Sequence, residues 1–322
     1  MAIRSTDLQQ PSLSFGARLG DDIRRFFDSD IWHSFTRSPV TIVAAIITLL
    51  MFIAALFAPW LAPHNTYDVA SLNLMDAFRP PAWADGGDST FLLGTDDQGR
   101  GVLSSIMFGL RISLLVGFAS VLLAAIVGTF LGLLSGYIGG ALDSAIMRIA
   151  DIQLTFPAIL IALMIDGIVS SMLSPAVHKD FKIMVLVLAI AASQWVNFAR
   201  TVRGSTMVER NKEYVLAAKV IGVHPVLIML RHVLPNVLGP VLVIGTLSLA
   251  IAVLTEATLS FLGVGVPVTR PSLGTLIRIG NDFLFSGEWW MTIFPGVALV
   301  ILVLAVNLLG DWLRDALNPR LR

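Results

Sequence analysis

Residues 213–235 read EYVLAAKVIGVHPVLIMLRHVLP and separate two long apolar stretches. They carry charged and imidazole side chains, so they are predicted to lie outside the hydrocarbon of a membrane or at its edge. Residues 213–221 are good helix formers and contain no helix breaker, which predicts a first helix. Gly222 suits the left-handed position that ends many helices, and Pro225 suits the first position of a second helix.

The second helix is predicted to run to about Leu234, and Pro235 marks the start of the next segment. The stretch is therefore predicted to be a helix-turn-helix that faces one aqueous compartment. Ala217 and Ala218 give its first helix a flat face that another protein surface could approach closely.

The spacing of this helix-turn-helix resembles the EAA loop of bacterial ABC-importer permeases. That pattern is Glu-Ala-Ala, three residues, Gly, nine residues, then Ile-x-Leu-Pro, and here Leu216 and His232 depart from it. In that family the loop docks into a groove on the ATPase subunit. The resemblance therefore implies a set of docking residues: Glu213, Ala217, Ala218, Gly222, Val223, His224, Pro225, Leu234 and Pro235. On this stretch alone, a membrane-surface hairpin of no special role remains the alternative.

The composition places the chain in a membrane. Hydrophobic residues make up 56% and charged residues 14%, against the ~25% charged residues of soluble domains. The 22 basic and 22 acidic residues cancel, so charge indicates no nucleic-acid partner, and the absence of cysteine excludes thiol chemistry. No Lys follows a Gly, so the chain cannot form a Gly-Lys phosphate loop, and any ATP and Mg²⁺ must belong to another subunit.

The expected fold is an all-α integral membrane protein with six transmembrane helices. Six apolar stretches predict these spans, since a helix of about 20 residues crosses ~30 Å of hydrocarbon. They cover about residues 40–62, 112–142, 143–170, 183–199, 236–255 and 289–310. Residues 1–38 are predicted to be a cytoplasmic segment with a short amphipathic helix, and residues 39–322 to be one membrane domain.

Further motifs resemble the C-type permease of the dipeptide, oligopeptide and nickel branch of ABC importers. Residues 93–101, LGTDDQGRG, and 109–114, GLRISL, match two of them, although Gly101 replaces the usual Asp. Other matching segments follow in the same order, at residues 143–157, 195–204, 256–267 and 307–319. The resemblance implies a type I importer permease fold, which works by alternating access and has no catalytic residues of its own.

The same resemblance implies the partners. They are a B-type sister permease, two ABC ATPase subunits and a periplasmic substrate-binding protein, with membrane lipid around the complex. The expected substrate is a di- or oligopeptide, and nickel complexes or glutathione are alternatives within the family.

The distribution of Lys and Arg predicts the orientation. With both termini in the cytoplasm, about two thirds of these residues lie on the inner side, as the positive-inside rule requires. Residues 200–235 are then cytoplasmic, whereas residues 63–111 and 259–288 form periplasmic loops, and the protein spans the bacterial inner membrane.

Other function classes find little support. An ion-driven secondary transporter favours ionisable residues near mid-membrane, and the middles of these spans carry none. No pair of catalytic groups lies within a span, and the five His residues are scattered, so neither an intramembrane enzyme nor a metal centre is expected.

The sequence also predicts the surroundings of four charged residues near the membrane boundaries and the packing of two glycines. Arg148 and Asp151 share one helix face and are expected to pair with each other. Asp166 and Glu256 are expected to be solvated at the outer boundary, with the mouth of the pathway as the alternative. Gly128 and Gly132 form a small-xxx-small pair that predicts a close helix crossing.

Overall fold

The computed structural model describes residues 30–66, 68, 72–172, 175–267 and 269–316, and within these ranges it is helical without a strand. The amphipathic helix predicted upstream of residue 30 lies outside the described residues. The helices are α1 Asp30–Arg37, α2 Pro39–Leu56, α3 Ala58–Leu61, α4 Val102–Ile138, α5 Gly140–Leu154, α6 Ala158–Met172, α7 Pro175–Glu209, α8 Glu213–Val220, α9 Pro225–Phe261, α10 Leu273–Phe283 and α11 Trp290–Ala316.

Five helices in the described part are long and apolar enough to cross a membrane: α2, α4, α7, α9 and α11. Helices α5 and α6 together provide a sixth crossing, but they meet at 95°. The third span is therefore broken, and its prediction as one continuous helix was wrong. The break falls before Pro157, because proline lacks an N–H donor and disfavours helical backbone at the preceding residue.

Several helices extend past the apolar stretches that predicted them. Helix α4 begins at Val102, so the loop predicted over residues 63–111 ends earlier, and α7 continues to Glu209. The segment predicted as a loop over residues 259–288 contains α10, which begins at the N-cap Ser272. The boundaries differ because hydropathy reports the lipid-facing length, whereas helices continue into water where their polar turns are solvated.

Helices α4 and α7 cross very closely, as the glycine spacing predicted. A Cβ on Gly128 would stand 2.5 Å from the carbonyl oxygen of Trp195, and one on Gly132 would stand 2.4 Å from that of Ala199. Gly136 continues the series one turn further along α4. No side chain fits between these backbones, so the glycines fix where α4 and α7 touch.

Each end of the bundle is joined by hydrogen bonds between distant parts of the chain. At one end, the indole Nε1 of Trp290 donates to the carbonyl oxygen of Thr95 at 3.0 Å. At the other end, Nη1 of Arg210 donates to the carbonyl oxygen of Gly136 at 2.8 Å. The helix-turn-helix of residues 213–235 belongs to this second end.

The motif at residues 93–101 forms a compact turn on the first end. The Asp96 carboxylate accepts from the backbone N–H groups of Gln98 and Arg100, both at 2.9 Å. The side chain of Arg100, itself 2% exposed, donates through Nε to Asp96 at 2.6 Å. Gly101 is the N-cap of α4 and provides no side-chain acceptor there.

Glu256 is not solvated at the membrane boundary, so that expectation was wrong. Its side chain is fully buried and accepts hydrogen bonds from Ser113 and Ser260, both at 2.6 Å. Ser113 in turn accepts from the backbone N–H of Leu273, the first residue of α10. The carboxyl group therefore links α4, α9 and α10, and no sequence spacing indicated that these segments meet. Asp166 is exposed.

Asp151 also has a different partner from the one expected. Its carboxylate pairs with Nη2 of Arg200 on α7, not with Arg148 on its own helix. The crossing of α4 and α7 and the short turn into α5 bring these two distant residues together, whereas Arg148 lies exposed.

Candidate functional site in residues 213–235

The first helix of the candidate site ends as its sequence predicted. Gly222 has a φ of +79°, which confirms the left-handed position. The backbone N–H of Val223 donates to the carbonyl of Ala218 at 3.0 Å, and that of Gly222 donates to the carbonyl of Lys219 at 3.1 Å. This pair of bonds is the Schellman motif, which satisfies carbonyl groups that the helix end would otherwise leave unpaired.

The second helix also begins where it was predicted. His224 is the N-cap, Pro225 occupies the first turn, and the carbonyl of His224 accepts from the N–H of Leu227 at 2.9 Å. Proline is favourable here because the first helical N–H groups have no partner within the helix.

The second helix does not end near Leu234, so that prediction was wrong. A π-helical turn over Met229–Val233 joins directly to the following span, and α9 runs from Pro225 to Phe261. Pro235 has no N–H to donate, and the extra residue of a π turn absorbs the local mismatch in the hydrogen-bond ladder. The tip of the helix-turn-helix is therefore connected to the membrane bundle by one continuous helix.

The inner face of α8 holds the helix-turn-helix against the rest of the chain. Val215 is fully buried and Ala218 is 5% exposed. The expectation that both alanines face outward is therefore wrong for Ala218, whose methyl group packs into the hydrophobic core, while Ala217 is exposed. The ammonium group of Lys219 lies over the ring of Tyr137 at 5.4 Å from its centroid.

A polar clamp joins α8 to the helices on either side of it. The hydroxyl of Tyr214 donates to the Glu209 carboxylate at the end of α7 and accepts from the side-chain amide of Asn236 on α9 at 3.0 Å. Burial, followed by the hydrogen bond to Glu209, raises the pKa of Tyr214 to about 12. The tyrosine therefore stays protonated over the physiological range and keeps donating to the carboxylate.

The outer face of the helix-turn-helix presents large apolar side chains. Leu216, Val220 and Ile221 are 46%, 87% and 77% exposed, and these three residues are called the apolar tip below. Glu213 is exposed in the first turn of α8, where a negative charge is favourable beside the helix dipole. An apolar patch next to charged groups at a polar end of a membrane protein is typical of a protein-binding surface.

Most of the predicted docking residues are exposed. The exposed ones are Glu213, Ala217, Gly222, His224, Pro225 and Pro235, while Val223 and Leu234 are half-buried and Ala218 is buried. The sequence did not single out the residues of the clamp or the anchoring role of Val215. Their side chains meet through the folding of α7, α8 and α9, and no local spacing reports that contact. Among the described residues, no group of His, Asp and Glu could hold a metal ion.

Comparisons with known proteins agree with this architecture. The profile of the family described as "Binding-protein-dependent transport system inner membrane component" matches residues 128–322, and that of the "N-terminal TM domain of oligopeptide transport permease C" matches residues 27–81. The chain is 39% identical to the dipeptide transport system permease protein DppC of Haemophilus influenzae, over 91% of this chain and 95% of that protein. It is 36% identical to the di/tripeptide transport system permease protein DppC of Pseudomonas aeruginosa, over 100% of this chain and 98% of that protein.

One solved structure shares the fold. A chain of the MetNI methionine ABC transporter in an inward-facing conformation aligns with a TM-score of 0.50 and 21% identity, covering 65% of this chain and 94% of that chain. At this identity the likeness supports the fold alone.

The long apolar helices define a multi-pass membrane protein, and the helix-turn-helix is anchored at one end of its bundle. The matched profile and the relatives make the assignment specific: the chain belongs to the family of binding-protein-dependent transport system inner membrane components. It is a permease subunit of an ATP-driven importer, and the ATP is hydrolysed by separate ATPase subunits.

Proposed function

We propose that this permease subunit imports di- and tripeptides or short oligopeptides and that residues 213–235 dock onto an ABC ATPase. The substrate is supported by the relatives, which are named as dipeptide or di/tripeptide permeases and are 36–39% identical over nearly the whole chain. Nickel complexes and glutathione remain the alternatives within the family.

The observation that carries the docking proposal is the apolar tip. Leu216, Val220 and Ile221 project from a polar end of the molecule, where no other part of the described chain covers them. Burying apolar surface contributes about 25 cal/mol per Å², so a groove that accepts these three side chains gains a substantial part of its affinity from them. Glu213 lies one turn before Leu216 and supplies a charge at the edge of the same surface.

The continuity of α9 supports a mechanical role. The Schellman turn and the tyrosine clamp hold α8 against α9, and α9 continues without a break into the membrane. A displacement of the tip when the ATPase closes is therefore transmitted to the span, and the bundle alternates between inward-open and outward-open packing.

The proposed orientation places both ends of the chain and the helix-turn-helix in the cytoplasm. Phe35 in α1 makes an edge-to-face contact with Trp312 in the last turns of α11, with ring centroids 5.2 Å apart. The two ends of the described chain therefore meet on one side. A B-type sister permease supplies the other half of the pathway, and a periplasmic binding protein delivers the peptide.

The docking proposal is tested by placing a charge on the apolar tip. We expect Ile221→Asp to reduce the ATPase recovered with the permease and to reduce peptide uptake in proportion. Met75→Asp is the matched control, because Met75 is 85% exposed in the segment that precedes α4, at the opposite end of the bundle. Normal ATPase recovery with Ile221→Asp would refute docking through this surface.

The substrate proposal is tested separately. The complete importer, reconstituted in vesicles, is offered a labelled dipeptide, a labelled nickel chelate and labelled glutathione in parallel. ATP-dependent accumulation of the dipeptide is expected, and accumulation of either alternative without the dipeptide would reject the peptide assignment.

A further inference from the structure

An ion pair lies exposed on the membrane-spanning part of the chain. Arg200 on α7 and Asp151 on α5 pair with each other, and their side chains are 47% and 60% exposed. Arg200 is followed by nine more helical residues of α7 before Arg210, which places it about 15 Å along the helix from that end. Both helices belong to candidate membrane spans, and exposed charges within a span rarely face lipid, because hydrocarbon cannot solvate them.

The same face carries further polar groups. Asn197 is exposed one turn before Arg200, so the two side chains share one face of α7. Helix α7 also has the lowest mean hydropathy of the five continuous candidate spans. The polar residues of this span are thus not all hidden inside the chain, and some of them face outward in the described part of the molecule.

The break between α5 and α6 lies beside this ion pair. Thr155, Phe156 and Pro157 interrupt the helix and are all exposed. Irregular backbone at membrane depth is tolerated only where it is buried in protein or lines a water-filled cavity, since lipid offers no hydrogen-bond partners. The break therefore excludes lipid from this face, in agreement with the exposed charges.

A concave surface accompanies the break. It forms an open cavity of about 380 Å³, whose lining combines Gln153 and Trp195 with the apolar residues Phe156, Leu160, Ile161, Met164, Ile165 and Ala192. The indole Nε1 of Trp195 donates to Gln153 Oε1 at 2.7 Å, and the Gln153 amide donates to the carbonyl of Ala192. These bonds tie α5 to α7 at the rim of the cavity, two residues along α5 from Asp151.

We propose that these residues form a polar face that lines the water-filled translocation pathway and that Arg200 and Asp151 contact the charged ends of the solute. The polar face is defined by Asp151, Gln153, Phe156, Trp195, Asn197 and Arg200. A guanidinium group recognises a carboxylate through paired hydrogen bonds, and a carboxylate accepts from an ammonium group. Two opposite charges side by side suit a zwitterion such as a peptide. The assignment of the solute contacts therefore rests on the proposed peptide function. The exposure of the polar face to water does not depend on that function.

The absence of cysteine from the chain provides the first test. Single cysteines replace Phe156 and Asn197, and the complete importer is treated in nanodiscs with a charged, water-soluble methanethiosulfonate reagent. The controls are Ile126→Cys and Leu242→Cys, whose parent side chains are 59% and 62% exposed on apolar surfaces of α4 and α9.

The polar face is expected to react at least about tenfold faster than the controls, because apolar surroundings raise the pKa of a thiol and reduce its reactive thiolate fraction. Labelling of this chain is measured by mass, in complexes that retain their normal subunit composition. The proposal is overturned if the cysteines at Phe156→Cys and Asn197→Cys are labelled as slowly as the controls. Slow labelling would mean that lipid or the sister permease covers the face.

The second test concerns the solute contacts. Arg200→Gln is expected to raise the KM for a dipeptide by about tenfold or more, the effect of losing a hydrogen bond to a charged group. The KM for the same dipeptide with an amidated carboxyl end should change little. The double variant Asp151→Arg/Arg200→Asp preserves the ion pair but reverses its charges. Its dipeptide uptake is therefore expected to stay as low as that of Arg200→Gln.

Full recovery of dipeptide uptake by the charge exchange would show a purely structural pair and would overturn the solute contacts. If the wild-type complex imports no peptide, the proposed function fails, while the labelling rates still decide whether the polar face is exposed to water.

Discussion

Replacing Gly222 with alanine tests the turn of the helix-turn-helix without disturbing its packing. Gly222 has a φ of +79°, and no atom lies within 4 Å of the position that a Cβ would occupy. An alanine there meets no steric obstacle outside its own backbone. The entire expected effect is therefore the conformational cost of a left-handed residue.

That cost is about 1–2 kcal/mol for a residue with a Cβ. Since 1.4 kcal/mol corresponds to a factor of ten, docking of the ATPase should weaken about five- to twenty-five-fold. The full loss is expected where alanine shifts the helix-turn-helix out of the turn seen here and docking must restore that turn. Gly222→Asn is the matched control, since asparagine tolerates left-handed backbone far better than alanine.

The assay is titration of ATPase subunits onto the permease pair in nanodiscs, with peptide uptake measured on the same variants. Membrane insertion should stay normal, because the spans do not depend on this turn. An unchanged affinity for Gly222→Ala, or an equal loss for Gly222→Asn, would refute the reasoning. Ala218→Glu is a poor substitute, because Ala218 is buried and its replacement would disturb the core.

Three further predictions address the bundle. Gly132→Leu should lower the amount of folded complex, since forced overpacking typically costs about 1–3 kcal/mol. Gly167→Ala should leave that amount unchanged, because the space around its Cβ is open. Equal yields of the two variants would contradict the close crossing. Glu256→Gln should keep both serine contacts, with one serine now accepting from the amide NH₂ instead of donating, whereas Glu256→Ala should lower stability by about 1–3 kcal/mol through two unpaired hydroxyls. Identical melting of the two variants in detergent would be evidence against the buried link. Reporters inserted near Asn211 and Gly87 should report cytoplasm and periplasm respectively, and a periplasmic signal near Asn211 would reject ATPase docking.

The features that the sequence predicted correctly are those set by one residue and its immediate neighbours. Gly222 and Pro225 have conformational requirements that act within a few residues, so the turn and the start of the second helix followed from them directly. Gly128 and Gly132 predicted a close crossing for the same reason, because only glycine leaves no side chain on that face. The identity of the partner helix, α7, did not follow from the spacing.

The features that were missed depend on contacts between distant segments. Asp151 pairs with a residue 49 positions away, and Glu256 accepts from a serine 143 positions away. The burial of Ala218 was also missed, because the residues around it in α8 are apolar on every side and no periodicity selects an inner face. The continuation of α9 through Pro235 depends on a π turn, which no residue pattern in the sequence marked.

The two ends of α9 connect the proposed docking surface to the opposite side of the bundle. This helix has 37 residues, which corresponds to about 55 Å. It begins beside the apolar tip and carries Glu256 near its far end, where the carboxyl group holds Ser113 of α4 and, through it, the start of α10. Because the helix is continuous and is bonded to neighbouring elements at both ends, we expect a movement of its tip to move α10 or to strain a buried hydrogen bond. The buried glutamate is therefore well placed to keep α10 in step with the apolar tip, which is what the proposed docking of an ATPase at that tip requires.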